Sequence, residues 1–146
     1  MQTVSSSEAG SAATLDRSKI LVVNDSPDFL TFMRELLTLE GGYEVATLDQ
    51  SEGVVEQVTS TPPDMIILDL VFRGGLSGYD IADRLASAAA TAGIPILFCT
   101  ALSVRDIPEQ ARALLDERKH RVLFKPFDID ELLTHVEEML LQLHRS

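Results

Sequence analysis

Five short apolar runs punctuate this chain, and four of them end in polar groups. Leu21-Val22-Val23 runs into Asn24-Asp25, Met65-Ile66-Ile67-Leu68 into Asp69, Pro95 to Cys99 into Thr100, and Val122-Leu123-Phe124 into Lys125. Runs of four to six apolar residues without alternation suit strands buried on both faces. The predicted strands are Lys19–Asn24, Tyr43–Thr47, Met65–Asp69, Pro95–Cys99 and Arg121–Phe124. Between them the periodicity predicts helices over Pro27–Leu39, Ser51–Thr59, Gly78–Thr91 and Val104–Asp116, with a final helix from Asp128 to His144. In that last helix Ile129, Leu132, Leu133, Val136, Met139, Leu140 and Leu143 share one face at about 100° per residue. Asp128 is placed to cap it, with Glu131 three residues on. Ser26-Pro27 opens the first helix, and Gly41-Gly42 stops it.

Alternating strands and helices imply a parallel sheet with right-handed crossovers and helices on both faces. In such a sheet the carboxyl ends of the strands lie on one edge, where ligands bind. Two acids, an amide, a hydroxyl and an ammonium then surround one crevice. That set suits Mg²⁺ and phosphoryl chemistry. A carboxylate closing an apolar run is costly unless something compensates it, which singles out Asp69.

Composition narrows the function classes. The chain has 146 residues, about one domain, and a net charge of −11. That acidity argues against direct nucleic-acid binding. No apolar run approaches the ~20 residues of a membrane span. The single cysteine, Cys99, excludes an intramolecular disulfide and reads as a small core residue. Residues 1–18 are Ser/Ala-rich and polar with no apolar signal core. They are expected to be a disordered leader, with residues 19–146 as the folded domain of a cytoplasmic protein. The three histidines are expected on the surface.

The motifs LVVNDS (21–26), IILDL (66–70), FCTA (98–101) and FKPF (124–127) together resemble the receiver domain of bacterial two-component response regulators. The resemblance covers about Lys19 to His144. It implies a flavodoxin-like α/β fold: a five-stranded parallel sheet of order 2-1-3-4-5 with five helices. It implies that Asp69 is the phosphoacceptor, that Asp25 and Asp69 bind Mg²⁺ together with the backbone carbonyl of Val71, and that Thr100 and Lys125 contact the phosphoryl group. It also implies a cis peptide bond between Lys125 and Pro126. The expected function is that of a stand-alone response regulator in a phosphorelay. It would be phosphorylated by a sensor histidine kinase or phosphotransfer protein and would signal through protein contacts. Homodimerisation through the Val104–Asp116 helix, the fifth strand and the last helix is the pairing the family suggests.

Three positions depart from the family pattern. Asn24 stands where a second acid is usual; it can reach the metal only through water, and weaker Mg²⁺ binding than in an Asn24→Asp variant is expected. Val122 stands where an aromatic is usual, which puts the usual Thr-to-aromatic relay in doubt. The loop from Val71 to Gly78 is one residue longer than usual, with Arg73 in place of proline and glycines expected to supply positive φ. Val71 and Leu102 are apolar and cannot orient water, so self-dephosphorylation is expected to be slow. A degenerate receiver that binds partners without phosphorylation is the alternative, favoured by Asn24 and Val122. A dehalogenase-like phosphatase would need an acid where Val71 stands. The protein is therefore expected not to be an enzyme.

Overall fold

The computed structural model describes residues 17–72, 75–107, 109, 112 and 120–145. Side chains beyond 141 lie outside the description, as do Arg73 and most of the leader. The elements are β1 (Lys19–Val23), α1 (Pro27–Gly41), β2 (Glu44–Leu48), α2 (Val54–Ser60), β3 (Met65–Leu68), α3 (Gly78–Ala86), β4 (Ile96–Thr100), β5 (Arg121–Phe124) and α4 (Ile129–Arg145). All strands pair in parallel, in the order β2-β1-β3-β4-β5. This is the sheet the sequence predicts, with four α-helices among the described residues instead of five. Of the helix expected at Val104–Asp116, Val104–Asp106 form a 3-10 turn; almost all of the rest lies outside the described residues.

The sheet separates two cores. On one face Ile20 and Val22, Met65 and Ile67, Leu97 and Cys99, and Leu123 pack against Leu30, Met33 and Leu37 of α1 and Leu132, Val136 and Met139 of α4. On the other, Leu21 and Val23, Ile66 and Leu68, and Ile96 and Phe98 pack against Val54 and Val58 of α2 and Ile81 and Leu85 of α3. Side chains alternate across each strand, so both cores draw on the same apolar runs.

The helix ends follow local chemistry. Ser26 Oγ accepts the Phe29 N–H at the start of α1. Gly42 takes φ 69° and donates to Leu37 and Thr38 carbonyls at its end. At α3, Ser77 and Asp80 form a reciprocal capping box. The predicted helix to Thr91 stops at Ala86 instead. There the Thr91 hydroxyl donates to the Leu85 carbonyl at 2.6 Å, and the Ser87 hydroxyl donates to Asp83 O at 3.0 Å. Side-chain donors thus claim carbonyls that a continuing helix would use.

The predicted surface position of His120 is corrected. It is 4% exposed, its Nδ1 accepts the Ile96 N–H at 3.1 Å, and its ring meets Phe98 edge-on at 6.3 Å. β5 begins at Arg121, opposite Leu97, so Ile96 meets this ring just ahead of that ladder. His135 is half-buried on α4, and the side chain of His144 lies outside the described residues.

Candidate functional site

β1, β3 and β5 deliver three side chains to one spot by alternation. Asn24 lies two residues past Val22, Asp69 two past Ile67, and Lys125 two past Leu123; all three reference residues belong to the α1/α4 core. The period of two therefore sends Asn24, Asp69 and Lys125 to the α1 side of the sheet edge. The backbone ties these ends together: Asn24 N–H donates to Leu48 O, Asp69 N–H to Val23 O, and Lys125 N–H to Thr100 O at 2.8 Å.

Asp69 is the centre. Its side chain is 14% exposed. Oδ2 accepts from the Asn24 amide at 3.3 Å and lies 4.0 Å from the Lys125 ammonium. Oδ1 accepts the Val71 N–H at 3.2 Å. Burial pushes this carboxyl above its ordinary range, outweighing the backbone N–H groups of Val71 and Leu70 and the Lys125 charge, all of which pull it down. The Asp25 carboxylate adds to the upward push by repulsion. The acid is thus held in a site that disfavours its charge.

Asn24 is buried, at 2% exposure, and both ends of its amide are used. Oδ1 accepts the Ser26 N–H at 2.8 Å while Nδ2 donates to Asp69. The side chain links the first turn of α1 to the carboxylate. The amide oxygen that accepts the Ser26 N–H keeps a second lone pair.

The Lys125 ammonium lies 4.3 Å from the centroid of the Phe29 ring, a cation–π contact of about 0.5–2 kcal/mol depending on desolvation. Lys125-Pro126 is cis, as the resemblance implies. Beneath the cluster, Cys99 is 1% exposed, and burial pushes its thiol up to about 12, far from the reactive thiolate range.

Thr100 falls on the opposite parity. It is 1% exposed, and its Oγ1 accepts the Leu102 N–H at 3.1 Å. The oxygen is thereby used, and the hydroxyl proton can be donated elsewhere. Asp25 is half-buried and lines a cavity of about 250 Å³ with Asp49, Ser51, Glu52, Phe72 and Gly75. Val71 is 53% exposed. Leu70, Val71, Phe72, Gly75, Ser77, Tyr79 and Leu102 line a second cavity of about 160 Å³. Among the described residues, no three His, Cys, Asp or Glu side chains gather as a metal cage. Two carboxylates that repel each other nonetheless fit Mg²⁺, which keeps most of its waters and takes one or two carboxylates.

Gly78 was read as a turn glycine with positive φ, and the structure gives it another reason. It opens α3, its N–H donates to Leu70 O at 2.9 Å, and any Cβ there would collide with the Asp69 carbonyl. Gly75, at φ 74°, does need the left-handed region. Phe29, Gly78 and the double use of Asn24 are the features missed from sequence. The parity of the strand ends could have signalled Asn24; the other two depend on where helices lie across the sheet.

The response regulator receiver domain model matches residues 20–137. The sensor histidine kinase TmoS of Ectopseudomonas mendocina is 31% identical over 137 residues, which are 90% of this chain and 14% of that protein. The nitrate/nitrite response regulator protein homolog of Haemophilus influenzae is 31% identical over 126 residues, 85% of this chain and 57% of that protein. The chain therefore spans well under two thirds of these relatives. Among solved structures, the N-terminal domain of a response regulator receiver protein from Methanoculleus marisnigri is 30% identical with a TM-score of 0.64, covering 83% of this chain and 94% of that one. The receiver domain of a signal transduction histidine kinase from Syntrophus aciditrophicus is 27% identical with a TM-score of 0.74, covering 88% and 94%. This chain belongs to the response regulator receiver domain family.

Proposed function

We propose that this receiver accepts a phosphoryl group on Asp69 within a phosphorelay and signals through protein contacts. The observation that carries the reading is the Asp69 carboxylate, enclosed at the end of β3 and flanked by one ammonium, one amide and a second acid. In the transfer, an Asp69 oxygen attacks the phosphorus of the donor. A new O–P bond forms, and the bond from phosphorus to the donor's leaving group breaks, with its electrons departing on that group. The Lys125 ammonium offsets the negative charge of donor and acceptor, and Thr100 donates its hydroxyl to a phosphoryl oxygen. Asp25, Asp69 and the Val71 carbonyl would hold Mg²⁺, which supplies charge neutralisation at the transferring oxygens. No helix of the described residues is long and apolar enough to cross a membrane. The donor would be a sensor histidine kinase or phosphotransfer protein. Homodimerisation through β5 and α4 remains part of this reading.

Incubation with acetyl phosphate and Mg²⁺, followed by intact mass, tests it. The wild type should gain one phosphoryl group, and Asp69→Asn should gain none. Val71 and Leu102 are apolar and cannot orient an attacking water, which favours slow hydrolysis, so the phosphoryl group should outlast seconds. A neutral Asn24, where the family usually has a second acid, favours one rival, a binding module that never takes phosphate. No mass gain in the wild type would leave that rival standing.

A further inference from the structure

The Lys125 ammonium is shared. It lies 4.3 Å from the Phe29 ring centroid and 4.0 Å from Asp69 Oδ2. The second distance is well beyond the ~2.8 Å of a charged hydrogen bond. The donors that do reach the carboxylate, the Asn24 amide and the Val71 N–H, are neutral. We propose that Phe29 is a positioning residue for phosphoryl uptake: its ring is a perch that keeps the Lys125 ammonium beside the Asp69 carboxylate, within reach of its charge but short of a hydrogen bond, and the lysine leaves the ring when phosphate arrives. This rests on the reading of Asp69 as the acceptor.

Three physical points support the perch. First, lysine is a compact charge on a flexible four-carbon stem, so an ammonium without a perch would wander through many rotamers. The ring face limits it to one neighbourhood by attraction to the π quadrupole. Second, a close ion pair would put a charged donor on the carboxylate oxygen; a partner held 4.0 Å away leaves Oδ2 with only the neutral Asn24 amide at hydrogen-bond range among the described contacts. Third, Phe29 is itself fixed. Its N–H donates to Ser26 Oγ, and the Ser26 N–H donates to Asn24 Oδ1, whose amide holds Asp69. Ring and carboxylate are therefore anchored to one short loop, and the lysine spans them from β5.

The transfer itself forms an Asp69 O–P bond and breaks the bond from phosphorus to the donor's leaving group; from acetyl phosphate that is a P–O bond, and acetate departs with the electron pair. The bound group brings about −1.5 to −2 charge, which outcompetes a ring face for the ammonium. Phosphorylation thus empties the perch, and the first turn of α1 loses a contact. Phe32, three residues further along α1 and 44% exposed, lies next to Phe29 on the helix surface. The loss is therefore felt at an exposed part of α1.

Carbon–proton NMR of the lysine side chains of the full chain tests this, since the sequence holds only three lysines: Lys19, Lys119 and Lys125. In the resting protein the Lys125 ε-methylene protons should be shifted upfield of those of Lys19 by the ring current of Phe29. Phe29→Leu should abolish the shift and Phe29→Tyr should keep it. Melting temperatures of both variants gauge any loss of packing. Phosphorylation by acetyl phosphate should be roughly three- to tenfold slower in Phe29→Leu, with Phe29→Tyr restoring it. Adding acetyl phosphate and Mg²⁺ to the wild type should move the Lys125 signal towards its unshifted position. An unshifted Lys125 in the resting wild type, or wild-type uptake by Phe29→Leu, overturns the perch. If the wild type takes no phosphoryl group, the reading of Asp69 fails instead, while the resting-state spectra of wild type and Phe29→Leu still decide whether the perch exists.

Discussion

Two clusters in this molecule bring together a carboxylate, a cation and a third, nitrogen-bearing side chain, and they are built in opposite ways. On the surface between β5 and α4, the Arg121 guanidinium donates to Glu138 at 2.7 Å and to His135 Nδ1 at 3.1 Å. Glu138 is exposed, and the arginine holds its carboxyl below the ordinary range. At the sheet edge, Lys125 stands 4.0 Å from Asp69, and burial holds that carboxyl above its range. The first cluster is satisfied and stays in water. The second is enclosed and left short of contact. A close pair stabilises its own charges and has little left to offer a ligand. A loose, desolvated pair retains unmet electrostatic demand, which an incoming phosphoryl group and a cation can meet.

The largest effects should come from Asp69. Asp69→Asn should abolish phosphoryl uptake, yet raise the melting temperature at neutral pH in metal-free buffer. A carboxyl raised by folding binds its proton more readily in the native than in the unfolded state. Stability therefore falls as pH rises from the ordinary carboxylate range through the folded value. The asparagine should remove that decline. A lower melting temperature for Asp69→Asn would erase the contrast between the clusters.

Gly78→Ala should come next. Its Cβ would collide with the Asp69 carbonyl, so α3 has to shift, at about 1–3 kcal/mol by denaturant unfolding. Gly93, with open space around its Cα, is the control: Gly93→Ala should stay within about 0.5 kcal/mol. Equal costs would mean that the active edge is no tighter than the rest.

Asn24→Asp should be intermediate. Replacing a donor to Asp69 with a third acid should lower the melting temperature without metal and strengthen Mg²⁺ binding in calorimetric titration. Equal Mg²⁺ affinity in the two proteins counts against the role given to the neutral amide.

The smallest effect belongs to the exposed cluster. Arg121→Gln should give a slight loss of stability that high salt erases. Because the carboxyl of Glu138 is lowered, its contribution is present above the ordinary carboxylate range and disappears as pH falls through the folded value. A large, salt-insensitive loss would show that the surface pair carries more than its exposure suggests.

The sheet was legible because apolar runs buried on both faces leave little choice of element, and its order came with the family resemblance. Strand ends moved by a residue: Asn24 and Asp69 fall just outside their strands and Thr100 just inside its own. Polar residues at the edge pair with loops as easily as with neighbouring strands. The meeting of Asp69 and Lys125 follows from the alternation of β3 and β5. What could not be read are contacts that depend on how a helix lies over the sheet. Phe29 reaches Lys125 from α1, and Gly78 presses α3 onto the Asp69 backbone. His120 was misread because its burial answers the Ile96 N–H, a need that belongs to a different strand.

The single thiol offers a use unconnected with signalling. Cys99 lies in β4, which is paired on both sides, and is 1% exposed. No alkylating reagent reaches it unless the core beneath α1 and α4 opens. Its rate of labelling therefore counts excursions of the native chain to open forms. This protein carries its own unfolding probe at its centre, and ligand-induced tightening of the sheet edge can be timed through it without an engineered label.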